Sequence, residues 1–509
     1  MLLLKINKIE IKISFIIIFL IGLGLRFFYF PHELPLIADG MDYFTYSTEI
    51  ISYGHLPTEW TPINNGWPIF VSFWFSIINL ENSFQYMQLT KIISVILSGL
   101  TAIPIYILCK RFFDAKIALV GSAFFVFDPR ILLNSFFGIT EPLFILLGVS
   151  SIVLFLKYQQ KFIILSFVLA SFCTIVRSEG IFLLGILTVL FFLKHKFSLE
   201  IVKTYIPSLV IFILILLPIM DYRTDTVGYD GIFQRFTFAT NQVLTNVVIE
   251  NSNQSNIFEG FKLFGTYLGW ILIPNFLIFL PYGLIQFFKK KRESSNLILV
   301  FLIIYSLPIL YAYIVKAQDT RYFYFLFPIF SLISLFAVEK YISYFKRKNI
   351  VIFIIIFSLF ISAVIFYELD RFDDENQKEL NSIGKIISEK EWGVNYHPTI
   401  SRYIYANELP MDWPFIINDV NFKTNIIRTS NFTGSMENIE SYISISKQNI
   451  SHIIVDENPN LPKFLQDVYH NEEKYEYLIK IFDSKDQGFN HHVKVYKINF
   501  EKLDFDIKK

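Results

Sequence analysis

The chain has 509 residues, of which 53% are hydrophobic, 18% aromatic and only 17% charged. Soluble domains carry about 25% charged residues and shorter apolar runs, so a soluble protein is excluded. The formal net charge of +1 says nothing about partners, and nothing in the pattern resembles a nucleic-acid binder.

Runs of about 18 or more apolar residues recur up to residue 367 and predict a polytopic α-helical membrane protein. Spans are expected near 13–30, 86–108, 116–134, 139–156, 162–176, 179–193, 203–220, 262–287, 296–315, 322–341 and 349–367. The basic start, Met1–Lys12, is followed by no small-residue cleavage site, so the first span is expected to be retained. Segment Trp67–Leu80 is apolar but only about 14 residues long, too short to cross a bilayer that needs about 20. If it does not cross and the N-terminus is cytoplasmic, the clusters at Lys110-Arg111, Lys194/Lys196, Lys289-Lys290-Lys291-Arg292 and Lys346-Arg347-Lys348 all face the cytoplasm. About eleven spans satisfy that rule, with 67–80 re-entrant or interfacial.

The same parity puts the loop 31–85, Asp128, Glu141, Arg177, Lys316, Arg321 and everything after 369 on the extracytoplasmic side. Two domains are expected. Residues 1–369 form a transmembrane catalytic domain, and 370–509 a small soluble α/β domain in which helical patterns (Asp374–Lys390, Met436–Lys447, Leu461–Tyr469) alternate with strand-like runs (His452–Val455, Tyr477–Phe482, His492–Ile498). Sequons at Asn253, Asn431 and Asn449 are external in this topology. Cys109 and Cys173 fall in spans near opposite faces, so no disulfide is expected.

Ionisable residues at the outer edge are the candidates for chemistry. Asp39 and Asp42, in Ala38-Asp39-Gly40-Met41-Asp42-Tyr43, share a face if the segment is helical. Such a pair serves as a general base or ligates a divalent cation, and equally well caps a helix. Asp128 lies in Phe127-Asp128-Pro129-Arg130, and Glu141 in Thr140-Glu141-Pro142, where Thr140 as N-cap and Pro142 in the first turn is the duller reading. Arg177, Lys316 and Arg321 are external cations suited to phosphate, or to local pairs with Glu179 and Asp319. No Gly-rich phosphate loop and no metal-ligand spacing of His or Cys is found.

Together these positions resemble the GT-C superfamily of polytopic glycosyltransferases, in particular the dolichyl-phosphate-mannose–protein mannosyltransferases and the aminoarabinose transferases. Asp39-Gly40-Met41-Asp42-Tyr43 resembles the family's Asp-Glu-x-x-Tyr loop, with Gly40 in place of Glu. Thr140-Glu141-Pro142-Leu143 resembles its Thr/Ser-Glu-x-Leu motif, Val176-Arg177-Ser178-Glu179-Gly180 its Thr-Arg-Pro-x-Gly turn, and Arg321-Tyr322 ahead of Pro328 its Arg-Tyr element. The resemblance implies transfer of a sugar from a polyprenyl-phosphate donor to a protein, lipid or glycan acceptor on the extracytoplasmic face, with inversion. Asp39 and Asp42 are then the catalytic pair, Asp39 as base. Tyr43, Asp128, Arg177, Lys316 and Arg321 bind substrate, and Glu141 acts from behind them. Asp39, Asp42 and Asp128 are candidate ligands of a divalent metal, and no other cofactor is implied. A transporter or flippase of lipid-linked saccharides is the alternative, although charges at the edge and the lack of an internal repeat suit it poorly.

Overall fold

The computed structural model describes residues 2–62, 64–196, 198–233, 254–289, 294–317, 319–390, 392–395, 399–408, 426–427, 439–445, 450–459 and 461–506. The sequons at Asn253, Asn431 and Asn449, and the basic run from Lys290, lie outside these residues. The chain divides into two compact units. One contains 1–30, 53–74 and 90–368, and the other contains 31–52, 75–89 and 369–509.

The first unit is helical. Its elements are α1 (Leu2–Phe28), the larger part of α3 (Gly66–Ile77) and of α4 (Ser83–Leu100), α5 (Ala102–Phe112), α6 (Ala115–Val126), α7 (Pro129–Asn134), α8 (Glu141–Phe155), α9 (Gln160–Val176), α10 (Ile181–His195), α11 (Ile206–Val227), α12 (Gln254–Leu272), α13 (Phe279–Lys289), α14 (Ser294–Ile314), α15 (Phe327–Ile342) and the start of α16 (Lys348–Ser388). Among the described residues seven helices are long and apolar enough to cross a membrane, and four shorter ones are apolar. One of these is α3, whose twelve residues span about 18 Å at 1.5 Å per residue, well under a hydrocarbon core of about 30 Å.

Two expected spans are broken. The run 116–134 divides at Asp128-Pro129 into α6 and α7, and 262–287 divides near Pro274 into α12 and α13. Proline lacks the N–H that would continue either helix and clashes with the preceding turn.

Burial sorts the helices. Helix α6 is buried from Ile117 to Val126 and α15 from Phe327 to Val338, so both are central. Helices α1, α11, α14 and α16 instead expose Leu20, Leu214, Ile303 and Phe353, the apolar outer surface that lipid contact calls for. Small and polar groups close the seams. Ser151 Oγ donates to the Ser166 carbonyl (2.7 Å), and the fully buried Arg26 donates to the carbonyls of Gly22 and Val126 (both 3.0 Å) and to Ser98 Oγ (3.2 Å), pinning α1 to the end of α6.

The second unit carries a five-stranded sheet in the order β2-β1-β3-β5-β4, with β1 (Val394–Asn395), β2 (Ile426–Ile427), β3 (His452–Asp456), β4 (Leu478–Asp483) and β5 (Val493–Ile498). Strands β2, β1 and β3 are parallel, whereas β5 is antiparallel to both β3 and β4. Strand β3 is buried throughout and alternates sides. Ile453 and Val455 pack with Tyr442, Leu465 and Val468 on one face, and Ile454 packs with Leu380, Ile383, Tyr403 and Val495 on the other. Tertiary packing draws part of the first loop into this unit. Ile37 packs on the second cluster, and Glu33 pairs with Lys378 at 3.2 Å and accepts from Asn381 through its carbonyl.

His452 is buried beside Trp392, with ring centroids 5.0 Å apart. Burial, reinforced by the Lys497 charge, pushes its pKa down to about 4. The unfolded imidazole titrates near 6.5, so the unfolded chain binds the proton first. Stability contributed by neutral His452 is therefore present above about pH 6.5 and is lost as the pH falls from there toward about 4. His452→Gln should flatten that limb of the melting-temperature profile of the full chain, measured by scanning fluorimetry against wild type. Superimposable profiles would contradict the assignment.

Candidate active site

Three short segments of the first unit meet in one cleft: the head of α8, the turn after α9, and a 3-10 turn at Thr320–Leu326 that leads into α15. Each has a local cause. Pro142 sits in the first turn of α8, where its missing N–H costs nothing. After Val176 the backbone becomes extended at Arg177, whose carbonyl accepts from Gly180 N at 2.8 Å. Gly180 folds back so closely that a Cβ would lie 2.6 Å from Thr174 N, so only glycine fits. Asp319 Oδ1 accepts from Arg321 N at 2.8 Å and caps the 3-10 turn.

At the centre is Glu141, only 3% exposed. Arg177 Nη1 donates to its Oε1 and, at 3.2 Å, to Thr140 Oγ1. The Thr140 hydroxyl makes no capping bond and donates instead to Glu141 Oε2 at 3.3 Å. Arg177 Nη2 donates to Glu179 at 2.8 Å. Arg321 Nη1 lies 4.0 Å from Glu141 Oε1 while its Nε donates to Asp319 Oδ2 at 2.5 Å. The two local pairs foreseen from the sequence thus form, and Glu141 joins them. Glu141 lines the cleft.

The cleft is narrow, with about 20 Å³ of free space, room for about one water molecule. Glu141, Arg177, Glu179 and Arg321 form its polar side, and Phe144, Tyr305, Tyr322 and Phe325 its aromatic side. Phe325 packs in tilted contact with Phe144 and Tyr305, at centroid distances of 4.4 and 4.6 Å. Two guanidiniums against Glu141, Glu179 and Asp319 leave a formal charge of −1, so an anion would be held by directed N–H donors rather than by net field. Sequence reading passed over Tyr305 and Phe325; the only available signal was a phenol within a span of lipid length.

Asp128 and Lys316 do not line the cleft. Asp128 is fully buried, and its Oδ1 caps α7 by accepting from Arg130 N (3.0 Å) and Ile131 N (3.2 Å), while Oδ2 has no hydrogen-bond partner among the described residues. Lys316 pairs with Glu259 at 3.4 Å, with both side chains more than half exposed. In the second unit, Asp39 and Asp42 stand in the first turn of α2 (Asp39–Tyr53), so the pair is helical. The Ala38 carbonyl accepts from Met41 N and Asp42 N. Asp39 is exposed, Asp42 half-buried and Tyr43 buried. Among the described residues no group of three or more His, Cys, Asp or Glu side chains is gathered as a metal site would require.

No family model matches the chain, and no curated protein matches it in sequence. Its fold, however, is that of solved membrane glycosyltransferases. The Archaeoglobus fulgidus oligosaccharyltransferase in complex with Zn and sulfate superposes with a TM-score of 0.56 at 14% identity, covering 87% of this chain and 68% of that one. AglB from the same organism, in complex with an inhibitory peptide and a dolichol-phosphate, gives 0.53 at 13%, covering 88% and 70%. ArnT from Cupriavidus metallidurans bound to undecaprenyl phosphate gives 0.54 at 9%, covering 95% and 97%. The chain therefore has the GT-C fold: a polytopic helical membrane protein with a small C-terminal sheet domain.

The Glu141–Arg177 contact predicts a thermodynamic coupling. Glu141→Gln and Arg177→Gln should each destabilise the protein, whereas the double variant should lose less than their sum, with a coupling of about 1–3 kcal/mol. A double-mutant cycle of unfolding in detergent measures it, and strict additivity would count against the pair.

Proposed function

We propose that this chain is an integral-membrane glycosyltransferase that moves a hexosyl or pentosyl group from a polyprenyl-phosphate donor to an acceptor on the extracytoplasmic face. The observation that carries this reading is the Glu141–Arg177–Arg321 cleft in a chain of GT-C fold. The solved neighbours hold a dolichol-phosphate and undecaprenyl phosphate, which supports a transferase over a transporter. The positive-inside pattern supports a cytoplasmic N-terminus and an extracytoplasmic C-terminal domain.

Arg177 and Arg321 receive the donor phosphate. Both are held in place by carboxylates, so little reorganisation is needed when the leaving phosphate gains charge in the transition state. Arg321, 31% exposed, is the more accessible of the two. The acceptor X–H attacks the anomeric carbon as the bond from that carbon to the phosphate oxygen breaks. The bonding pair leaves with the phosphate, and the proton passes to Asp39. A single displacement inverts the anomeric centre.

Asp42 orients the acceptor. The burial of Tyr43 and the capping role of Asp128 favour supporting roles for both, and Lys316 lies outside the cleft lining. Asp39 and Asp42, one turn apart, suit a hard divalent cation that completes its shell with water and phosphate oxygens. Bound there, such an ion would supply additional neutralisation of phosphate charge.

Asp39→Asn and Arg321→Ala should each abolish transfer in cells, with one sugar missing from envelope glycans and its polyprenyl-phosphate donor accumulating. Glycan and glycolipid profiling at matched protein levels, beside a deletion strain, makes the comparison. An Asp39→Asn strain with wild-type glycans would return the residue to a helix-terminal role.

A further inference from the structure

Neither Gly66 nor Trp67 lines the cleft, yet each touches a segment that carries its ion pair. The Trp67 indole is fully buried, and its Nε1 donates to the Gly138 carbonyl at 2.7 Å, three residues before Glu141. Gly66 lies against the last turn of α9, where a Cβ would come within 2.6 Å of Val176 N and 2.7 Å of Val176 Cα. Backbone cannot yield as a flexible side chain does, and the next residue is Arg177. The first two residues of α3 therefore abut both the approach to α8 and the exit of α9.

This wedge is itself fastened. Arg223, buried near the end of α11, donates to the Pro62 carbonyl (2.8 Å) and to Asn65 Oδ1 (2.6 Å), beneath the ring of Tyr229. Asn65 Nδ2 donates to Thr61 Oγ1 at 2.6 Å, and the hydroxyl of Tyr222 donates to the Pro57 carbonyl. The stretch leading into α3 is thus tied to α11 before it reaches the cleft-bearing segments.

We propose that Gly66 and Trp67, clamped by Arg223, are positioning residues that set the separation of Glu141 and Arg177 and so the shape of the cleft. The consequence for ligand rests on the lipid-phosphate reading above, but the geometric claim does not. Misplacement by about 1 Å at a distance from the chemistry costs on the order of a hundredfold in rate, so a wedge of this kind acts on function without touching substrate.

The chain contains its own reporter. Cys173 is buried one turn before Arg177, and its Sγ lies 3.5 Å from the Phe144 carbonyl, across the seam between α8 and α9. Cys109, buried on α5, serves as the internal control. Full-length wild type, Gly66→Ala, Gly66→Val, Trp67→Phe and Trp67→Leu would be placed in lipid nanodiscs, alkylated with N-ethylmaleimide and read by peptide mass spectrometry. Farnesyl phosphate binding would be measured on the same samples.

The expected result is Cys173 alkylation faster by about tenfold with Cys109 still protected, together with weaker farnesyl phosphate binding by a similar factor, as loss of a positioning contact implies. Wild-type protection of Cys173 in all four variants would overturn the proposal. So would opening of Cys109 alongside Cys173 in all four, since that is general loosening. Selective opening of Cys173 in a protein whose wild type does not bind farnesyl phosphate would sink the lipid-phosphate reading and leave the wedge standing.

Discussion

A carboxylate as buried as Glu141 is costly to place at the head of an apolar helix without a cation beside it, and it has Arg177 in contact and Arg321 at 4.0 Å. The desolvation of such a pair roughly cancels its attraction, so the pair adds little net stability but is costly to leave half-made. That constraint organises its surroundings. The sharp turn at Gly180, the Thr140 hydroxyl spent on side chains rather than on capping, and the Asp319 cap that orients Arg321 all keep the pair satisfied.

The two units are held by different physics. In the first, the exterior is as apolar as the interior, so burial alone offers little reason for one helix to choose another. Specific choices come from polar groups that reach backbone across seams: Arg26 to Val126, Ser151 to Ser166, and Asn275 to the Phe127 carbonyl. In the second unit the central strand is buried on both faces, and alternation of Ile453, Ile454 and Val455 between two apolar clusters holds the sheet.

The cleft pairs its arginines with carboxylates instead of presenting a positive net field. Its two guanidiniums are matched by three carboxylates, so long-range attraction is small and recognition depends on the direction of N–H donors. An aromatic wall of Phe144, Tyr305 and Phe325 completes the cleft.

Much of this was legible in the linear chain. Apolar run length marked the long apolar helices, and β3, β4 and β5 lie within a residue of the runs read as strands. Local pairs two residues apart, Arg177 with Glu179 and Asp319 with Arg321, were readable because chain connectivity keeps such residues together. What tertiary structure alone decided was that Glu141 meets Arg177 and Arg321, that Trp67 reaches Gly138, that Asp128 is enclosed, and that Ile37 joins the core of the second unit. Periodicity tells which face of a helix is buried but not against what, because the apolar faces of membrane helices are chemically alike. The choice among them is made by shape and by a few polar contacts far apart in sequence.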